Sequence, residues 1–304
     1  MEDRKAVIVG ISGASSSGKT TLARLLRDVF PGTFILHEDD FYKPEAELPT
    51  KDGLLDWDCA ESLSIPAMTR ALSHIRAHGT FPPFVDSKED QNSIGACPVS
   101  SAAISLAKAK VSAWLQPGQP GHSILIGEDH SHHPSRSSSR STNHPDSPPA
   151  TPRLRICLVD GFLLYSAPLE RGGVPSLLDT RLFLRVSRSS ALQRRQRRDG
   201  YVTLEGFWKD PPGYVERVVW PNYVAAHGFL FEGGDVERGR WRRDVLGEKG
   251  ILVFGGGEEG KGEGEGEGEE AIDVPMETTF AWAVDTLMRQ LEELAGKGKG
   301  TAAT

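Results

Sequence analysis

The sequence predicts a three-layer α/β fold, with a parallel five-stranded sheet covered by helices on both faces. Three observations lead there. Short runs of uniformly apolar residues recur along the chain, segments of helical periodicity separate them, and the first run ends in glycine-rich sequence. A strand that is apolar at every position is buried on both faces, which marks a parallel sheet rather than a half-wetted antiparallel one.

Ala6-Val-Ile-Val-Gly10 reads as the first strand. A helix follows from Lys19, with Leu22, Leu25, Leu26 and Val29 at helical spacing and a stop at Pro31-Gly32. Thr33–His37 is the second strand and runs into the acidic turn Glu38-Asp39-Asp40. Residues 60–77 read as a helix, with Leu63, Met68, Leu72 and Ile75 on one face and Pro66 in its early turns. Ala102–Leu115 reads as a further helix without an assigned function. Ile156–Asp160, Leu182–Val186 and Ile251–Phe254 supply the remaining strands, and a helix over 277–295 carries an apolar stripe from Phe280 to Leu294.

Two segments fall outside this core. Residues 116–153 are rich in Pro, Ser, His and Gly, too poor in apolar surface to offset their ordering entropy, and are expected to form a disordered insertion. His130, His132 and His133 within it read as a solvated tract rather than a metal site, since no Cys accompanies them. The Gly-Glu repeat at 255–270 reads as a flexible, self-repelling linker. The expectation is one domain over 1–304 carrying both segments.

The formal net charge is -7 over 304 residues, with 38% hydrophobic and 25% charged residues. Seven Glu and one Lys in 255–270 account for nearly all of that charge, so the remainder is close to neutral. Nothing global points to nucleic acid or to an anionic membrane surface. No apolar run approaches the ~18 residues a membrane span needs. The start, MEDRKAVIVGISG, is charged and then strand-like, unlike a secretory signal. Cys59, Cys97 and Cys157 lie far apart without C-x-x-C spacing, which predicts reduced thiols and a cytoplasmic or nuclear protein.

The chemistry begins at Gly13-Ala-Ser15-Ser16-Ser17-Gly18-Lys19-Thr20, which fits the phosphate-loop pattern G-x-x-x-x-G-K-[ST] between a predicted strand and a predicted helix. Backbone N–H groups of such a loop surround an anion, and the helix N-terminus adds partial positive charge. The nucleotide-binding set is Gly13, Ser15, Ser16, Ser17, Gly18, Lys19, Thr20 and Thr21, with Lys19 reaching the β- and γ-phosphates. Asp160 closes an apolar strand and resembles the carboxylate that holds Mg²⁺ through water, so Thr20 and Asp160 form the metal pair. Asp39, directly after the second strand, lies where the ligand crevice of a parallel sheet forms and is placed to accept a proton from an attacking hydroxyl. No N-K-x-D guanine-reading motif is present. Arg188 and the cluster Arg194-Arg195-Gln196-Arg197-Arg198 follow the fourth strand, where a mobile lid over 188–215 would bring guanidinium groups to the transferred phosphate. The competing readings of the cluster are a solvated helix face and a nucleic-acid patch.

Together these motifs resemble the nicotinamide riboside kinases, a branch of the uridine-kinase-like phosphate-loop kinases. The resemblance rests on GISGASSSGKTTLA, HEDDFYKPE, LDWDCAESL, VDGFLLY, and DPPGY followed by VWPNY. Leu55-Asp56-Trp57-Asp58 stands where uridine kinases carry an F-D-H-P-type signature. The resemblance implies a three-layer phosphate-loop fold and transfer of a phosphoryl group from ATP, with Mg²⁺, to the 5′-hydroxyl of nicotinamide riboside. It implies that Asp39 is the base, that Asp58 accepts the ribose 2′- and 3′-hydroxyls, and that Trp57 and Tyr201 sandwich the pyridinium ring as a cation–π pair. Lys19, Arg195 and Arg198 are the expected phosphate-handling cations. A uridine or cytidine kinase and a non-catalytic nucleotide-binding regulator are the alternatives. The expected partner is a small nucleoside, with no nucleic acid and no membrane, and the expected state is a monomer or a weak homodimer. The chain departs from the family at Asp160, where Glu is more usual, at Gln196, where another arginine is, and over 78–153, which exceeds the compact core.

Overall fold

The computed structural model describes residues 4–87, 95–127, 153–198, 200–203, 206–255 and 271–300. β1 (Ala6–Gly13) is buried along its whole length and leads through the phosphate loop into α1 (Lys19–Val29) and β2 (Thr33–His37). A short hairpin of β3 (Thr50–Lys51) and β4 (Leu54–Leu55) follows, turned by Asp52 and Gly53, both with positive φ. α2 (Ile65–His78) starts with Pro66 in its first turn, where a missing N–H costs no helical bond, and ends on Gly79 in the left-handed conformation. α3 (Ser101–Trp114) precedes β5 (Arg155–Asp160), α4 (Ala167–Arg171) and β6 (Thr180–Leu184). Then come α5 (Arg188–Gln196), the hairpin β7 (Tyr201–Thr203) and β8 (Gly206–Trp208), α6 (Trp220–His227), α7 (Arg243–Lys249), β9 (Ile251–Val253) and α8 (Met276–Gly300).

The main sheet has the order β2-β5-β1-β6-β9, every neighbouring pair parallel. Alternate residues of the strands feed two cores. Ile8, Cys157 and Phe183 face α2, α4, α6 and α7, whereas Val7, Val9, Leu158 and Leu182 face α1, α3 and α8. This is the three-layer α/β arrangement the sequence predicts. All three cysteines are free thiols. Among the described residues no helix is long and apolar enough to cross a membrane.

The helix read over 60–77 is shorter, Ile65–His78, because Ala60–Ser62 form a separate turn and Leu63 is extended. Two further expectations move. The fourth strand spans Thr180–Leu184 rather than Leu182–Val186. Pairing starts early because Asp179 exchanges hydrogen bonds with Ile8, its N–H donating to the Ile8 carbonyl and its carboxylate accepting the Ile8 N–H. At the other end Arg185 turns away to donate to the carbonyls of Val236 and Gly239. The second correction concerns the insertion expected to be disordered over 116–153. Its beginning is folded: Ile124 and Leu125 are buried beside α8 in a helical turn, His122–Ile126, and the Leu125 carbonyl accepts the Arg153 N–H. Averaged composition hid this local apolar run. The rest of the expected insertion, with His130, His132 and His133, and residues 256–270 of the Gly-Glu segment lie outside the described residues.

The excursion between α2 and β5 is closed at its foot. The Arg155 guanidinium donates to the Gly79 carbonyl at 3.1 Å, and the Arg155 N–H donates to the Lys5 carbonyl at 3.1 Å.

Candidate active site

The phosphate loop grows from the centre of the sheet. Gly13 has φ +144°, and a Cβ there would collide with the Leu184 carbonyl, so only glycine lets β1 lie this close to β6 at its end. Gly18 at φ +101° turns the chain into α1. Ser16, at φ +64°, is a non-glycine residue in the left-handed region, a conformation tolerated here by a loop otherwise fixed at both ends. Its hydroxyl and that of Ser17 are buried without a hydrogen-bond partner. Lys19 folds back so that its ammonium donates to the Ala14 carbonyl at 2.9 Å. Burial pulls the Lys19 ammonium below its ordinary range, while Asp160, Asp39 and Glu38 pull it back up.

Sheet register delivers the acids. The last residue of β5, Asp160, sits level with Ile11 of β1 and His37 of β2. Its carboxylate accepts the Thr20 hydroxyl, and the His37 ring nitrogen Nδ1 lies 3.4 Å from it. Burial works against ionisation of Asp160, yet the His37 hydrogen bond and the Lys19 charge hold its carboxyl below the usual range. Among the described residues no cluster of three His, Cys, Asp or Glu is placed to hold a metal by itself. Thr20 beside Asp160 instead fits a Mg²⁺ held by one or two protein oxygens, with water and phosphates completing an octahedron. Asp39 borders the same small cavity, opposite Arg198 and Tyr201.

Helix α5 turns one of its arginines, Arg195, inward and leaves Arg188 and Arg194 exposed. The Ser187 hydroxyl caps it, accepting the Ser190 N–H. Arg194 donates to the Ser16 carbonyl at 3.4 Å. Arg195 is the most heavily engaged of the set: its guanidinium donates to both carboxylate oxygens of Asp58 (3.0 and 3.3 Å), to both of Asp210 (2.6 and 3.0 Å), and to the Ser15 hydroxyl at 2.8 Å. It also lies over the rings of Tyr201 and Tyr214, 5.1 and 5.6 Å from their centroids. Arg198 lies 5.3 Å from the Tyr201 ring centroid and lines the same small cavity as Lys19, Thr20 and Asp160. Of the two arginines expected to handle phosphate, Arg198 borders that cavity, and Arg195 links Ser15 of the loop to Asp58.

Asp58 and Trp57 come together as neighbours, and Arg195 links Asp58 to the Tyr201 ring. Trp57 is only 6% exposed, packed edge-on to Tyr42 at 5.1 Å and tilted against Trp208 at 5.7 Å, and its N–H donates to the Tyr214 hydroxyl. Its indole N–H and the Tyr201 hydroxyl are both buried without a partner. In this arrangement the cation between aromatic faces is the Arg195 guanidinium.

Sequence reasoning missed several contributors. Glu38 is fully buried, and its carboxylate accepts the N–H groups of Phe162 and Leu163 at 2.5 and 3.0 Å, tying the Asp39 turn to the loop after Asp160. Burial pushes its carboxyl up to about 8. Gly161 is glycine because a Cβ there would meet the Glu38 side chain. Both carboxylate oxygens of Asp56 accept from the Asn222 side-chain amide, and Oδ1 also accepts the Asp58 N–H; Asn222 in turn accepts from Lys51. Asp210 was visible in DPPGY, but only as a turn. Asp273, isolated between the Gly-Glu segment and α8, gave no signal; its carboxylate accepts from the Ser187 N–H and from the Ser187 and Ser190 hydroxyls, fixing the first turn of the lid helix.

No family model matches the sequence. Individual relatives do. The chain is 37% identical over 233 residues to a nicotinamide riboside kinase of Schizosaccharomyces pombe, covering 77% of this chain and 84% of that one. It is 30% identical over 236 residues to the nicotinamide riboside kinase of Eremothecium gossypii, covering 77% and 81%. The chain belongs to the nicotinamide riboside kinase family. The likeness extends to human nicotinamide riboside kinase 1, at 25% identity over 222 residues and 72% and 76% coverage. Members of this family are phosphotransferases acting on a hydroxyl group, and this chain is a kinase with the α/β architecture such chemistry uses.

Proposed function

We propose that this protein phosphorylates the 5′-hydroxyl of nicotinamide riboside with ATP, giving nicotinamide mononucleotide. The observation that carries the reading is the convergence of Asp39, Lys19, Thr20, Asp160 and Arg198 on one small cavity beside the Tyr201 ring. These are a proton acceptor, two cations and a metal-binding pair, supplied by four separate stretches of chain around one cleft. Asp39 takes the proton of the ribose hydroxyl as its oxygen attacks the γ-phosphorus. Lys19 and Arg198 stabilise the charge on the moving phosphoryl oxygens. Thr20 and Asp160 would hold Mg²⁺, which would supply neutralisation of the phosphate charge.

Asp58 holds the ribose diol; burial raises its carboxyl, and the Arg195 guanidinium opposes that rise and aims the group. Trp57, Tyr201 and Tyr214 give the pyridinium ring electron-rich faces that a neutral pyrimidine exploits less. The cavity at the phosphate corner is only about 50 Å³, so the lid carrying Arg198 moves outward to admit a triphosphate. Closure then excludes water that would otherwise compete for the phosphoryl group.

The test is ADP release with Mg·ATP and one nucleoside at a time: nicotinamide riboside, nicotinic acid riboside, uridine and cytidine. Turnover is expected with the pyridine ribosides, and Asp39→Ala is expected to lower kcat by about 100-fold or more, in line with loss of a general base. Turnover confined to uridine or cytidine would replace the proposed substrate. ATP binding with no turnover would favour a non-catalytic regulator.

A further inference from the structure

Beside the phosphate corner lies a larger cavity of about 550 Å³. The two share Ser16, Gly18 and Arg198, so they are parts of one continuous cleft. Its volume falls in the range of small-molecule sites, about 300–1,000 Å³. With the terminal phosphates of a nucleoside triphosphate at Lys19 and Thr20, this cavity receives the sugar and base.

Its walls come largely from outside the sheet. One wall carries Gly95, Ala96 and Pro98, which belong to the long excursion between α2 and β5. Arg194 of α5 and Arg197 just after it also line it, as do Ala271, Asp273 and Val274 ahead of α8 and Met276 at its start. We infer that the excursion forms the base-binding wall of the nucleotide pocket, so that residues 95–98 set affinity for the phosphate donor's base. The inference rests on reading the cleft as an ATP site.

The excursion is built to hold that wall in place. Val99, directly after it, is buried in the core shared with α1 and α8. The Ser100 N–H donates to Glu277 at the start of α8 at 2.9 Å. Further along, Lys110 pairs with Asp285, and the Trp114 indole N–H donates to Glu292 at 2.7 Å. Three ties along two packed helices thus brace a four-residue segment against the same helix whose first turn borders the cavity. The wall itself offers the base small apolar side chains and backbone groups, while the lid contributes planar guanidinium groups suited to stacking on a flat ring.

Ala96→Trp in the full chain is the direct test, because Ala96 is exposed and a larger side chain there projects into the cleft rather than the core. Binding of Mg·ATP is expected to weaken about ten-fold, with binding of Mg·tripolyphosphate, which has phosphates and no base, unchanged within two-fold. Unchanged ATP affinity, or an equal loss for both ligands, would overturn the inference. Cys97, between the wall residues Ala96 and Pro98, gives a second measurement in the unaltered protein, since it is the exposed thiol while Cys59 is half-buried and Cys157 buried. Mg·ATP is expected to slow alkylation of Cys97 by iodoacetamide several-fold and Mg·tripolyphosphate to leave it unchanged; no protection by ATP would also overturn it. These readouts need no nucleoside, so a protein that passes them yet phosphorylates no pyridine riboside loses the proposed reaction and keeps this assignment.

Discussion

The phosphate loop and the Asp58–Arg195 pocket share a border at Ser15, yet they are built in opposite ways. The loop is eight consecutive residues, from the last of β1 into the first turn of α1, its shape fixed by backbone torsions at Gly13, Ser16 and Gly18. The pocket draws Trp57, Asp58, Arg195, Tyr201, Asp210 and Tyr214 from four stretches of chain, and side-chain charge holds it together. The loop presents donors to an anion without changing any partner. The pocket already has its charges paired, so a ribose diol reaching Asp58 must share or exchange hydrogen bonds with Arg195. A site fixed by backbone is ready before its ligand arrives; a site fixed by ion pairs must be rearranged by it.

Substitution at Arg195 tests that contrast most severely. A lysine keeps the charge but cannot reach Asp58, Asp210 and Ser15 together. Arg195→Lys is expected to lower kcat/KM for the nucleoside by about 100-fold while tripolyphosphate affinity stays within about three-fold. Equal losses would mean that loop and pocket are one unit. Glu38→Gln sharpens the comparison from the loop side. Burial raises the Glu38 carboxyl from 4.5 to about 8, so between those values the folded chain binds the proton that the unfolded chain has lost. The native state therefore loses stability as pH climbs through that window. Urea unfolding should show Glu38→Gln more stable than the parent by about 1–3 kcal/mol at pH 8, with the gap closing towards pH 4.5. Parallel pH profiles would remove Glu38 from the account. The smallest effect is expected at Asp273, whose carboxylate secures the first turn of the lid helix. Asp273→Ala should cost about 1 kcal/mol in thermal unfolding, as lost caps do, with Asp273→Asn recovering part of it. An unchanged transition would mean that Ser187 caps α5 unaided.

The same contrast explains what could be read in the residues beforehand. The strand–loop–helix unit was legible because its whole chemistry lies in GASSSGKT, and Asp39 and Asp160 were legible as acids at strand ends. The lid was visible as an arginine cluster, but which arginine faces phosphate depended on the turn of α5 and on Asp210 arriving from the next hairpin. The placement of Trp57 and Tyr201 on the two faces of a pyridinium ring came from the resemblance alone. Glu38 was hidden in an acidic turn because nothing local says that one of three acids points into the core. Ile124 and Leu125 were lost in a proline- and serine-rich window, although two apolar side chains beside an existing helix suffice to fold a turn.

The hydrogen bond from Arg155 to the Gly79 carbonyl has a consequence for how the chain can vary. It brings the two ends of the excursion to one point at the base of the sheet, so everything between them is a closed loop. The entropy lost in closing such a loop rises only with the logarithm of its length, by about 0.6 kcal/mol for each doubling. The strands therefore register the foot of this excursion and hardly register its length. A descendant of this chain can lengthen the stretch between Leu115 and Arg153 while every strand keeps its partner, and only the segment that reaches the cleft is held to a fixed position.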